Sequence, residues 1–163
     1  MDHLTLFATG LSETSLWQRE DKVSQFKIAI RPYQPGDAPL LYEAARESIA
    51  DISPWLPWCH PGINQLHPVH QFANLGYWVR SSCTGHGIAV AAVRLCAQFG
   101  FAELHLKRLE ILTAAGNVRS QRVAEKAGAT REGVLRQRLN IGDVWHDAVL
   151  FSLLPADLAA AGA

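Results

Sequence analysis

The sequence has no surplus of either charge: 15 Lys and Arg balance 15 Asp and Glu. A nucleic-acid-binding face usually shows as a basic excess, so no nucleic-acid partner is expected. The three cysteines, Cys59, Cys83 and Cys96, are odd in number and widely spaced. That pattern gives neither a disulfide framework nor a Cys/His zinc spacing, so no metal is expected and a reducing cytoplasm is the plain reading. Cys96 falls inside a helical pattern, where a thiol behaves as a small apolar residue. No apolar run approaches the roughly twenty residues of a membrane span, which argues against a membrane partner. The N-terminus, MDHLTLFATG, lacks the basic start and long apolar stretch of a signal peptide.

What is present is an ordinary globular composition. The chain has 163 residues, 48% apolar and 18% charged, enough for one domain with a proper core. Residues 1–25 show no sustained period and read as an N-terminal arm. Phe26 to Arg31 alternates apolar and basic residues, the strand period. Pro35-Gly36-Asp37 breaks the chain, and Asp37 is a suitable N-cap for a helix to about Ser48 with Leu40, Leu41, Ala44 and Ala45 inward. The stretch Ser53-Pro54-Trp55-Leu56-Pro57-Trp58 is rigid and non-helical, and it fits either a core cap or the wall of a ligand pocket. His67 and His70 flank a proline without an acidic or Cys partner, as in a solvated loop.

The chain is organised around Leu75 to Ala92, LGYWVRSSCTGHGIAVAA. An apolar strand, Leu75 to Val79, feeds a Ser/Thr/Gly loop that opens directly into an apolar helix. Gly85 and Gly87 at the joint let the backbone turn and let a ligand approach. The first amides of the helix have no partner inside it, and its dipole is positive there. Together these make a site for a phosphate or pyrophosphate. It is not a P-loop, since no Gly-Lys-Ser/Thr follows, and it lacks the three-glycine spacing of a dinucleotide fingerprint.

Ile88, Ala91, Ala92, Leu95, Cys96 and Phe99 share one face of the helix, which ends near Phe101. A second strand around Leu109 and Ile111 then implies a parallel pair. Asn117 reads as the N-cap of a helix from Val118 to Ala127, with Gly128 as its stop. Gly133 to Leu139 and Trp145 to Leu153 form an antiparallel hairpin turning at Gly142-Asp143. Residues 156–163 read as a loose tail.

In order, IRPY, SPWLPW, LGYWVR, the glycine loop, KRLEI, GN-x-x-S, RVAEKAGA, REGVLR and WHD resemble the GNAT superfamily of acetyl-CoA-dependent N-acetyltransferases. The resemblance is to the branch that acetylates ribosomal-protein N-termini and covers about residues 26–155. It implies an α/β (α+β) fold: a GNAT-like mixed sheet with a parallel strand pair around a central helix and a C-terminal antiparallel hairpin. It further implies that the amides of Thr84-Gly85-His86-Gly87-Ile88-Ala89 hold the CoA pyrophosphate. Thr84 stands where the family carries Arg or Gln. Tyr77, Trp78 and Val79 would line the pantetheine arm through their backbone, Asn117 would touch that arm, and Ser120 would be the general acid for the leaving thiolate.

The branch's glutamate base falls at Leu139 here, leaving Glu110, His146 and Asp147 as substitutes. Glu110 could equally pair with an arginine, and Asp147 could anchor the hairpin. A second helix and two strands, roughly forty residues, are missing after Gly62, so the fold is truncated in its N-terminal half. Phe26 to Arg31 would then pair antiparallel with Leu75 to Arg80, or else that strand keeps an open edge that invites a homodimer. The implied activity is transfer of acetyl from acetyl-CoA to a primary amine, such as a protein N-terminus. Its alternative is an acyl-CoA-binding remnant with little or no turnover, and beyond that a non-enzymatic interaction domain.

Overall fold

Eight strands and four helices follow one another along the described part of the chain. They are β1 (His3–Ala8), β2 (Asp21–Val23), β3 (Phe26–Pro32), α1 (Ala38–Ile52), β4 (Leu66–His67), β5 (Phe72–Asn74), α2 (Ile88–Ala102), β6 (Arg108–Ala114), α3 (Val118–Ala127), β7 (Thr130–Ile141), β8 (Val144–Leu153) and α4 (Pro155–Ala160). The computed structural model describes residues 3–8, 21–23, 26–32, 34–52, 54–55, 66–67 and 70–160. At 3–8, 21–23, 26–32, 35, 66–67 and 159–160 it describes the backbone alone.

The main sheet has the order β4-β5-β6-β8-β7. β5 and β6 run parallel with α2 between them, and the pairs β6–β8 and β7–β8 are antiparallel. The expected parallel pair, central helix and C-terminal hairpin are therefore present. The core lies between this sheet and the helices α2 and α3. Val93 and Ala97 of α2 and Ala124 and Ala127 of α3 pack on Leu109, Ile111, Val149, Phe151 and Leu153. Alanines at the helix contacts let the backbones approach the sheet, while Phe151 and Leu153 are fully buried. Burial of each such large side chain contributes roughly 1.5–3 kcal/mol.

Local chemistry explains the clearest boundaries. Asn117 accepts from the Ser120 amide at 3.1 Å and so caps α3, and Gly128 in the left-handed region (φ 98°) ends it. Gly142 and Asp143 both have positive φ, 55° and 63°, the form that matches the twist of a two-residue hairpin.

Several expectations are corrected. Residues 3–8 and 21–23 are strands and not an arm: β1 pairs parallel and β2 antiparallel with β3, in a separate three-stranded sheet. β3 thus has both edges filled and does not pair with the segment after β5. The other edge of β5 is taken by β4, antiparallel, through Leu66 and His67, which places those residues in a strand rather than a loop. The tail begins as α4, where the Leu154 amide donates to Asp157 Oδ2 at 2.8 Å and Leu158 packs on the core.

Asp37 is not the N-cap of α1. It ends a 3-10 turn (Pro35–Asp37) and accepts from the Gln34 amide at 2.8 Å. α1 runs on to Ile52, and Leu40 is exposed; Ser48 and Ile52 are the buried positions, because the helix faces the turn at Ser81 rather than the sheet. Leu56 to Trp58, His60-Pro61-Gly62 and Ile63-Asn64-Gln65 lie outside the described residues. Among the described residues no helix is long and apolar enough to cross a membrane.

Candidate functional site

The glycine joint has the geometry its sequence calls for. Ser81–Cys83 forms one 3-10 turn, and the Thr84 hydroxyl donates to the Ser81 carbonyl at 2.9 Å. Gly85 and Gly87 then both take left-handed φ values, 81° and 79°. A Cβ at Gly85 would meet nothing within 4 Å, so conformation and not space requires glycine there. Gly87 is the N-cap of α2 and brings no side-chain cap, so the first amides of a 15-residue helix are left to an external acceptor. Ile88, 1% exposed, anchors this helix end, while Gly85, His86 and Gly87 are exposed and Ala89 half-buried.

The segment feeding the joint departs from expectation. The strand is Phe72–Asn74, and residues 75–80 have no regular structure. Parallel pairing stops at Asn74 opposite Glu110, with one further bond from the Leu75 amide to the Glu110 carbonyl at 2.8 Å. β6 continues to Ala114, paired on its other side with β8. The ladder between the two neighbours therefore ends here, and this break in pairing, with Tyr77, Trp78 and Val79 on one side and β6 on the other, is the wedge of the sheet.

Two sets of contacts fix the segment that leaves β5. On the α3 side, the Tyr77 hydroxyl donates to the Ser120 carbonyl at 2.8 Å, and Ser120 Oγ donates to Tyr77 Oη at 3.1 Å. The phenol ring, packed on the core, is a spacer between residue 77 and α3. Burial pushes the Tyr77 phenol above its ordinary range, and the Ser120 hydrogen bond works in the opposite direction. On the α1 side, Glu47 accepts from the Ser82 amide at 2.7 Å and from Arg80 Nε, and Ser48 Oγ accepts from the Ser81 amide at 3.0 Å. Ser81 Oγ also donates to Asp51. The Ser82 and Arg80 hydrogen bonds hold the Glu47 carboxyl well below the usual range, at about 2.

Tyr77, Asn117 and Ser120 are thus brought together at the first turn of α3, and Thr84 to Ala89 form the separate glycine joint. Trp55 lies against this end as well, since a Cβ at Gly116 would stand 3.4 Å from its ring. That places Trp55 at the loop between β6 and α3, beside the candidate site.

Two of the substitute bases, Glu110 and Asp147, are tied up. Glu110 accepts from Arg108 Nε at 2.9 Å, and Arg108 also grips Glu132 with two bonds at 2.7 and 2.6 Å. Asp147 Oδ1 takes the Gln137 amide at 2.8 Å, where β7 bulges and Gln137 has a φ of 47°. Leu139 sits opposite His146 in the hairpin. Among the described residues no group of three His, Cys, Asp or Glu could hold a metal.

Sequence reasoning missed Glu47, Ser48 and Asp51 as supports of the site. A signal existed: Ser48 interrupts the stripe of half-buried Leu41, Ala44 and Ala45 and buried Ile52. The Tyr77 hydroxyl was also missed, because only its backbone was expected to matter.

A mixed sheet that opens beyond a parallel pair, a glycine turn heading the intervening helix and a capped helix across the wedge define the GNAT-like class of fold. Residues 58–130 match the family described as Acetyltransferase (GNAT) domain. Over 87 residues it is 39% identical to a protein of Bacillus subtilis (strain 168) named "Probable N-acetyltransferase YjcK", covering 53% of this chain and 48% of that protein. It is 29% identical over 89 residues to the ribosomal-protein-serine acetyltransferase of Escherichia coli (strain K12), covering 55% and 50%. RimJ of Mycobacterium smegmatis, solved in complex with CoA-disulfide, aligns with a TM-score of 0.70 at 23% identity. That alignment covers 81% of this chain and 88% of RimJ, a likeness of fold. The chain spans about half the length of the curated relatives it matches.

Proposed function

We propose that this chain binds acetyl-CoA and transfers its acetyl group to a primary amine. The observation that carries the reading is the wedge: parallel pairing ends at Asn74 and Glu110, and the segment leaving it runs into the glycine turn at the head of α2. A diphosphate would sit at residues 84–89, at the head of α2, drawn by the helix dipole. The pantetheine arm would lie in the wedge along the backbone of Tyr77, Trp78 and Val79, where the peptide groups no longer pair with β6. Asn117 would touch the arm, and the thioester would end beside Ser120.

The chemistry asked of the chain is limited. A neutral amine attacks the thioester carbon, the C–S bond breaks, and the departing thiolate takes a proton from the Ser120 side. With Glu110 and Asp147 engaged and leucine at 139, the amine would lose its proton to water. The acceptor proposed is a protein N-terminal amine, in line with the ribosomal-protein-serine acetyltransferase among the relatives.

A second reading, binding of acyl-CoA without turnover, is favoured by one observation: both carboxylates named as substitute bases are committed to other partners. Calorimetric titration with CoA tests the binding half, and no heat at millimolar CoA would overturn both readings. Thiol release with N-terminal peptides, polyamines and amino acids separates them. Turnover above background supports transfer, and saturable binding without it supports the second reading.

A further inference from the structure

The Tyr77–Ser120 contact says more about the leaving-group step than Ser120 alone. Tyr77 has one proton, directed to the Ser120 carbonyl at 2.8 Å, so the 3.1 Å contact between the hydroxyls uses the Ser120 proton. In this arrangement Ser120 points its proton away from any sulfur beside it. Rotating the Tyr77 O–H from the Ser120 carbonyl to Ser120 Oγ reverses the second bond and frees the serine proton. The ring need not move, because the carbonyl and hydroxyl of Ser120 are both within reach of the same phenol oxygen.

Acidity gives that reversal a purpose. A serine hydroxyl is about as weak an acid as water, while a free thiol lies near about 8.5. Serine alone would deliver its proton to a thiolate about seven units uphill. A tyrosine, at about 10, is within about two units of the thiol. Burial of the phenol widens that gap and the Ser120 hydrogen bond narrows it.

We propose that Tyr77 is a positioning residue that also supplies the relayed proton, working through the Ser120 hydroxyl. As the C–S bond breaks, its electron pair moves to sulfur, sulfur takes the Ser120 proton, and Ser120 Oγ takes the Tyr77 proton. The phenolate left behind is reprotonated from solvent, which receives the proton lost by the attacking amine, so the cycle balances. This inference rests on the reading that places the thioester beside Ser120.

The test is a double-mutant cycle of Tyr77→Phe and Ser120→Ala in the full chain, measuring kcat, KM for acetyl-CoA and CoA affinity. Tyr77→Phe is expected to lower kcat about tenfold or more, within the range of acid–base contributions, with KM and CoA affinity within about twofold. In the Ser120→Ala background it should cause no further loss, because the relay is already broken. Equal losses in both backgrounds would overturn the relay while leaving acetyl transfer standing. If the native chain binds CoA but turns over no amine, the bound CoA thiol is titrated by its thiolate absorbance. The relay then requires a higher thiol pKa in Tyr77→Phe than in the native chain, and identical values overturn it. Absence of CoA binding would remove the underlying reading and the relay with it.

Discussion

Glu47 Oε1 accepts the Ser82 amide at 2.7 Å, across 35 residues of sequence, so a carboxylate of α1 fixes the backbone that leads into the glycine turn. Its other oxygen receives Arg80. The joint at the head of α2 is therefore set from both sides, by α1 and by the Tyr77 contact with α3.

The Glu47 latch makes the fold sensitive to acid. Its folded-state pKa of about 2 lies below the ordinary 4.5, so its stabilisation is present above about pH 4.5 and is lost as pH falls toward 2. Glu132, held by Arg108 and Ser152, titrates at about 2 and loses its contribution in the same window. The urea midpoint should stay level from pH 7 to about 5 and then drop. Glu47→Gln and Glu132→Gln should each lower the midpoint at pH 7 and flatten the drop. An unchanged acid slope in both variants would count against these carboxylates as its source.

Gly87 has a left-handed φ of 79°, so a substitution there affects both folding and the approach of a ligand. Gly87→Val should cost roughly 1–2 kcal/mol of stability from backbone strain. Gly87→Asn, which tolerates that conformation, should cost less than about 1 kcal/mol and still weaken CoA binding about tenfold or more. Calorimetry that finds native affinity in the Asn variant would show that the cradle lies elsewhere.

Asn117 combines a cap with a proposed ligand contact. Asn117→Ala should lose about 1 kcal/mol in chemical denaturation, and Asn117→Ser should retain most of that. Both remove the amide, so both should weaken CoA binding alike. Native affinity in the serine variant would leave Asn117 as a cap only.

The two described cysteines should differ in reactivity. Burial pushes the Cys96 thiol up to about 11, leaving almost no thiolate at neutral pH. Cys83 sits half-buried in the 3-10 turn before the glycine joint. Brief alkylation of the native protein, read by peptide mass spectrometry, should label Cys83 and spare Cys96 until urea is added. CoA should slow labelling of Cys83. Rapid native labelling of Cys96 would contradict its raised thiol pKa.

The elements legible in the sequence are those whose signals are local. Asn117 and Gly128 bound α3 because capping and termination depend on backbone groups within one turn. The hairpin turn falls at Gly142-Asp143 for the same reason, and the glycine joint follows from the conformations Gly85 and Gly87 permit. The apolar character of α2 was readable, but not its sheet-facing side: Val93 and Ala97, which pack on the sheet, lie off the face that the period named.

Strand limits were harder, because they depend on a partner. Leu75 to Val79 has the composition of a strand, yet pairing with β6 stops at Asn74, where Tyr77 reaches across to α3 and Glu47 and Ser48 draw residues 81 and 82 toward α1. None of those tethers lies within thirty residues of what it holds. The pairing of β3 with β1 and β2 is equally non-local, and the weak period of residues 1–25 did not foretell it.

The sequence by itself thus determined the glycine turn, its helix and the cap of α3, because each is written in the conformational limits of a few adjacent residues. Only the tertiary structure decided where the sheet opens and which side of α3 Tyr77 touches. Those outcomes are set by hydrogen bonds between groups 33 to 43 residues apart, such as Ser48 with Ser81 and Tyr77 with Ser120, whose energies exist only once the chain has closed on itself.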